Sequence, residues 1–287
     1  ITIACLQLVL DRGERLGWFS SWEILFETGL GIAAFYVFLT HSLTAKHPFL
    51  DLGLLRDRNY ALGLVIVTIY GMLNFTPMVI LPAMLKDLSG YPESIIGTLL
   101  GFRGIGAVLG FFSSMWVGKL DPRIGITLGY LVQGYSGWDM MGFTPDTTVS
   151  RVAFNSVLQG LSVGLIWVPL TTATFSTLPN AVYPEASAVY HLLRNVGSSI
   201  FISLSVFTAV RVSQISYAEL TAFINPFNEV LQHPQFSSLD IGSAKGLLGL
   251  SGEVGRQADM IGFINAFGLY TLASLSVLPL VFFVGKR

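Results

Sequence analysis

Seven predominantly apolar stretches of about twenty residues fill most of the 287-residue chain, each long enough as a helix to cross the hydrocarbon core of a bilayer. Inside lipid every backbone N–H and C=O must be satisfied within the segment, so such stretches fold as helices. The windows are 22–42, 60–85, 95–118, 123–143, 152–178, 186–210 and 261–284. Six connections join them, five of them short; the sixth, 211–260, is too polar to span and reads as a long loop with a weakly amphipathic start.

Composition agrees. Hydrophobic residues make up 52% of the chain and charged residues 11%, against about a quarter charged in soluble domains. The fold class is therefore all-α and polytopic. The single cysteine, Cys5, excludes an internal disulfide framework, and four scattered histidines lack metal-ligand spacing, so no metal or cofactor is expected. A net charge of −1 makes no case for nucleic acid. The loops hold no Ser/His or His/Asp arrangement and no paired acidic metal motif, which argues against an enzyme. The chain opens inside an apolar run, 1–10, too short to span, so it reads as a fragment that begins within a helix.

Orientation follows from Lys and Arg near the helix ends. Lys46, Arg56, Arg58, Lys119, Arg123, Lys286 and Arg287 gather on one side, and Arg12, Arg15, Lys86 and Arg151 on the other. The first side is expected to be cytoplasmic, with the C-terminus inside and the 211–260 loop outside.

Polar residues within the spans are where function should lie. Arg103 and Arg194 sit well inside apolar runs, where arginine costs roughly 3 kcal/mol on insertion scales and needs a polar partner. Ser187, His191, Arg194, Ser198 and Ser205 recur at helical spacing, with Asn195 and Ser199 beside them, as one stripe that either lines a cavity or bonds to neighbouring helices. His191 suits either proton handling or a satisfied interface position. In the preceding span Asn155, Gln159 and Ser162 form a second polar face, followed by Trp167 and a Thr-rich segment around Pro169, which should kink the helix. Asn74, Thr76, Pro77 and Pro82 mark a similar break. Glycines surround Arg103; the pairs Gly97/Gly101 and Gly106/Gly110 fit close helix packing, and no strand precedes them to support a dinucleotide fingerprint. The partner of Arg103 could be a helix carbonyl, Glu27, or a carboxylate outside the chain.

Several short motifs occur in a specific order. They are Asp11-Arg12-Gly13 with Trp18-Phe19, Asp51-Leu52-Gly53-Leu54-Leu55-Arg56-Asp57-Arg58-Asn59-Tyr60, Gly90-Tyr91, Arg103-Gly104-Ile105-Gly106 and Gly118-Lys119-Leu120-Asp121-Pro122-Arg123. Ala186-Ser187-Ala188 with Arg194 and Gly197-Ser198, and then Asn225-Pro226-Phe227, complete the series. Together they resemble the C-terminal half of EmrB/QacA-type drug/proton antiporters, the fourteen-helix branch of the major facilitator superfamily. The sequence departs from that pattern at His191, where Asn is common, and at Phe201, where Gly is usual.

The resemblance implies alternating access and export of a lipophilic or cationic small molecule from a bacterial-type plasma membrane, driven by protons. Residues 1–59 would hold the end of one linker helix, an external loop, the second linker helix and a cytoplasmic loop; 60–287 would form the C-terminal bundle. Its partners would be the substrate, protons, the bilayer and an N-terminal bundle outside this chain. Asn74, Arg103, Asn155, Gln159, Trp167, His191 and Arg194 would contribute half of the substrate cavity. Gly118, Asp121 and Arg123 would form a cytoplasmic gating loop.

Overall fold

Helix starts follow local chemistry. Asp57 accepts from the Tyr60 amide at 2.8 Å, Asp121 from the Arg123 amide at 3.0 Å with Pro122 next in line, and Ser243 from the Gly246 amide at 3.0 Å. The computed structural model describes residues 1–44, 52–117, 121–225 and 243–283. Among them all regular elements are helical: α1 Thr2–Leu16, α2 Trp22–Thr44, α3 Arg58–Asp87, α4 Glu93–Val117, α5 Pro122–Met141, α6 Val149–Phe175, α7 Tyr183–Thr221, α8 Ala244–Ser276 and the short α9 Leu278–Val281.

Six of the described helical segments, α2, α3, α4, α6, α7 and α8–α9, are long and apolar enough to cross a membrane. The seventh expected span, α5, has 20 residues but carries Gln133 and Asp139. Packed between α6 and α8, it buries both glutamine and backbone in protein rather than lipid.

The helices stand side by side in the order α4, α6, α5, α8, α7, α3, and α3 closes back on α6. Accordingly α3 and α6 are the most buried spans, while α4 and α7 keep broad exposed faces. Glycine sets the closest contacts. A side chain at Gly106 or Gly160 would land on the backbone carbonyl of Val157 or Arg103, and Gly110 and Gly164 face each other one turn further along, so α4 and α6 run backbone to backbone. The α3–α7 contact repeats the device, with Gly71 against the Arg194 carbonyl and Gly197 against that of Thr68. Gly97, Gly101 and Gly104 instead face open space, so the expected Gly97/Gly101 packing pair is not one.

Helices α1 and α2 form a hairpin, tied at one end by the Arg12–Glu23 ion pair at 2.5 Å and docked on the bundle where Ser203 of α7 donates to the Leu10 carbonyl at 2.9 Å. The apolar run at 1–10 thus belongs to a helix that continues to Leu16.

The described ends of the 211–260 stretch are helical: α7 runs to Thr221 and α8 starts at Ala244. At 1.5 Å per residue these helices, of 39 and 33 residues, reach roughly 58 and 50 Å, well beyond a core of about 30 Å. Their polar ends are helical because they bond to one another and along the helix: Ser213 donates to Asp259, Tyr217 and Ser251 share a hydrogen bond of 2.9 Å, and Arg256 and Gln257 both bond Glu253. Of the Asn225-Pro226-Phe227 motif, only Asn225 lies within the described residues. α3 carries Pro77 and Pro82, and α6 carries Pro169, each inside a single helical element. At Pro169, Gly125 of α5 fits against the ring and beside the Leu165 carbonyl that proline leaves without its helical donor.

Candidate functional site

The sequence-predicted polar residues divide into two groups. The first is buried and centred on Arg103. Its position on α4 is forced inward by the glycine seam, and its guanidinium reaches across to α3 and α6. Nη2 donates to the Asn74 backbone carbonyl at 2.5 Å and to Asn74 Oδ1 at 2.6 Å, and Nη1 donates to Gln159 Oε1 at 3.4 Å. Pro77 lies three residues beyond Asn74 on α3. Among the described residues no carboxylate forms an ion pair with Arg103, so its charge is met by neutral acceptors. Glu27 is not the partner: it is buried in the α1–α2 hairpin, 9% exposed, with Oε2 accepting no hydrogen bond.

Gln159 and Asn155, one turn apart on α6, extend this network. Gln159 Nε2 donates to Asn155 Oδ1 at 2.8 Å, and Asn155 Nδ2 donates to Asp139 Oδ2 at 2.9 Å and to the Ser136 carbonyl at 2.9 Å. Asp139 also receives Arg151 through Nη2 at 2.8 Å and Nε at 3.1 Å. Asn155 and Gln159 are essentially fully buried. A charge-assisted network of this kind is well satisfied, and satisfaction is what permits polar side chains at membrane depth. Sequence reasoning misses Ser136 and Asp139. The signal is present in Gln133, Ser136 and Asp139, spaced by three along α5, which marks one polar face of an otherwise apolar helix.

The second group is open. Arg194 on α7 is half-buried, with its guanidinium carbon 5.3 Å from the Trp167 ring centre and 5.9 Å from that of Phe75. Such stacking stabilises a cation by about 0.5–2 kcal/mol, depending on how much water is excluded. Nη2 donates to the neighbouring Asn195 at 3.2 Å, and among the described residues no carboxylate pairs with it. His191 is exposed, stacked at 5.9 Å on Trp167 and at 5.7 Å edge-on to Tyr190. Trp167 in turn lies 5.4 Å from Tyr70, and Thr171 shares a hydrogen bond of 3.2 Å with Tyr190. From there a groove of about 540 Å3 runs between α6 and α7 past Thr172, Ser176 and Ser187. The face formed by α3, α6 and α7 is thus aromatic, hydroxyl-rich and cationic, and it holds no carboxylate among the residues just described.

The polar stripe expected on α7 splits. His191, Arg194, Asn195 and Ser198 lie on or near the open face, whereas Ser205 is buried. Phe201 is buried too, 5% exposed, and packs in the core. Of the expected gating loop, Gly118 lies outside the described residues; Asp121 caps α5 through the Arg123 amide. Among the described residues no cluster of His, Cys, Asp and Glu could hold a metal ion.

Similarity to known proteins agrees with this architecture. No family profile matches the chain. Over 99% of its length it is 29% identical to the multidrug export protein EmrB of Escherichia coli, and over 98% it is 27% identical to the EmrB of Haemophilus influenzae. It is 26% identical over 98% of its length to the fatty acid resistance protein FarB of Neisseria gonorrhoeae. The chain spans about half the length of these relatives, 56% of each, a share that fits the C-terminal half of an EmrB-type protein. Its fold is that of a multi-pass, all-α membrane protein.

Proposed function

We propose that the chain is the C-terminal half of a multidrug efflux transporter and that the face of α3, α6 and α7 is one wall of its substrate path. The observation carrying this reading is Arg194: a cation at membrane depth, stacked on Trp167 and Phe75, without a carboxylate partner among the described residues and open on one side. Arg103, by contrast, is buried and donates three hydrogen bonds to neighbouring helices. The opposing wall would come from an N-terminal bundle, and alternating access would expose the shared cavity to each side in turn, driven by inward proton flow. The substrate would cross without chemical transformation.

The chemistry of the face also narrows the substrate. Aromatic rings accept many lipophilic molecules with few directional contacts. With Arg194 and His191 both beside the Trp167 ring and no carboxylate paired with Arg194 among the described residues, the aromatic part of the face favours lipophilic compounds bearing an acidic or anionic group over lipophilic cations. That a fatty acid resistance protein is among the relatives supports the same preference.

For orientation, Arg56, Arg58 and Arg123 collect at the end of the bundle where α3 and α5 begin. This side is proposed to be cytoplasmic, in a bacterial-type plasma membrane, with the C-terminus inside. A fluorescent protein fused to the C-terminus should then mature; a fusion that stays dark contradicts the orientation.

The functional reading is tested by expressing the full-length protein in an efflux-deficient bacterial strain against a panel of lipophilic acids and cations. Resistance should extend over several unrelated acids, and Arg194→Ala should reduce it about tenfold, the equivalent of losing roughly 1.4 kcal/mol of binding. Resistance to a single compound would instead mark a dedicated exporter, and an unchanged panel in the Arg194→Ala strain would remove Arg194 from the path.

A further inference from the structure

The network around Arg103 has a polarity that its individual hydrogen bonds do not reveal. Starting at the guanidinium, Arg103 donates to the carbonyl of Gln159, whose amide donates to the carbonyl of Asn155, whose amide donates to Asp139. Each side-chain amide points its oxygen toward the arginine and its nitrogen toward the aspartate. Two dipoles are therefore aligned head to tail between a buried cation and a carboxylate, and hydrogen bonds in series in a low-dielectric interior polarise one another. Reversing either amide would set N–H against guanidinium at one end or carbonyl against carboxylate at the other, so the two charges fix both orientations.

Asp139 is itself fixed. Its side chain is 16% exposed and held by Arg151, which also donates to the Gly142 carbonyl at 3.1 Å and lies 5.3 Å over the Phe143 ring. Ser136 donates to Asn155 Oδ1 at 3.0 Å, which leaves that oxygen with two donors and no freedom to turn. The 3.4 Å contact from Arg103 to Gln159 is the longest in the series, so Gln159 is the joint most dependent on being correctly turned.

We infer that Asp139 is the remote counter-charge and positioning residue of Arg103, acting through Asn155 and Gln159 although it does not touch the arginine. In consequence, the Asp139–Arg151 clamp at one end of α5 and α6 and the Arg103–Asn74 contact between α4 and α3 behave as a single unit. Movement that parts α5 from α6 at the clamp releases Gln159 and loosens Arg103 from α3. The idea draws on the transport reading only where activity is measured; the linkage itself is a property of the folded bundle.

The test uses the full-length protein, with thermal unfolding in detergent as the first readout and transport as the second. Asp139→Asn keeps shape and removes charge, and it should lower Tm by about 4 °C or more. Gln159→Glu supplies a carboxylate directly to Arg103. In the Gln159→Glu background the Tm loss from Asp139→Asn should shrink to about half of that in wild type or less, the remainder being the Arg151 pairing that Asp139→Asn removes in both, because Arg103 no longer depends on the relay. An Asp139→Asn loss of the same size in the wild-type and Gln159→Glu backgrounds would show that Asp139 serves only Arg151, and would overturn the inference. Should Asp139→Asn alone fail to yield folded protein, recovery of the double variant supports the relay and failure to recover it refutes it. In transport assays the double variant should regain rate lost by Asp139→Asn. If wild type does not transport, the functional reading falls while the unfolding result still decides the relay.

Discussion

The two arginines inside the spans take opposite solutions to the same cost. Arg103 is enclosed, with three neutral acceptors and an aligned pair of amides leading to Asp139. Arg194 is stacked on aromatic faces and left open. Lysine has a point charge in place of a planar fork, so Arg103→Lys cannot serve Asn74 and Gln159 together. One buried acceptor would be left unsatisfied, at about 1–3 kcal/mol, read as a lower unfolding temperature of the full-length protein; an unshifted temperature would mean that the fork geometry is irrelevant. The sequence makes both arginines conspicuous because charge in an apolar run is rare. It cannot assign their partners, since Asn74, Gln159 and Arg103 lie on three helices, and only the packing of α3, α4 and α6 brings them together. Asp139 escapes notice for a related reason: near the end of its helix it looks like an ordinary interfacial acid.

At the scale of elements, the spans α2 to α6 are legible within a few residues because apolar length is a direct consequence of bilayer thickness. The described ends of the 211–260 stretch are not, because apolar length alone cannot distinguish a polar helical extension from a loop. What makes its ends helical is pairing between α7 and α8, as in Ser213 with Asp259 and Tyr217 with Ser251. Glycine spacing is similarly half-informative. Gly106 and Gly110 do seat α4 on α6, but their counterparts Gly160 and Gly164 carry the same weight, and Gly97 and Gly101 seat nothing. Gly160→Leu would drive a side chain into the Arg103 carbonyl, separating α4 from α6 and pulling Arg103 off its acceptors. Overpacking of this kind costs about 1–3 kcal/mol, and the loss should exceed that of Gly101→Leu, which meets open space, when the yields of folded protein are compared. Equal tolerance of both substitutions would remove the seam from the account.

For the whole molecule, the described helices form a bundle with one enclosed polar network and one open aromatic, cationic face. The enclosed network organises the bundle, and the open face is proposed to meet substrate. The cavity is proposed to be completed by a second bundle, a reading that the 56% coverage of EmrB-type relatives supports. The most direct test is proton-driven uptake of a lipophilic weak acid into inside-out membrane vesicles holding the full-length protein, compared between wild type and Arg194→Ala. Uptake that collapses on adding a protonophore, and that falls about tenfold in the variant, is the predicted result. Uptake equal in the two proteins would contradict the account.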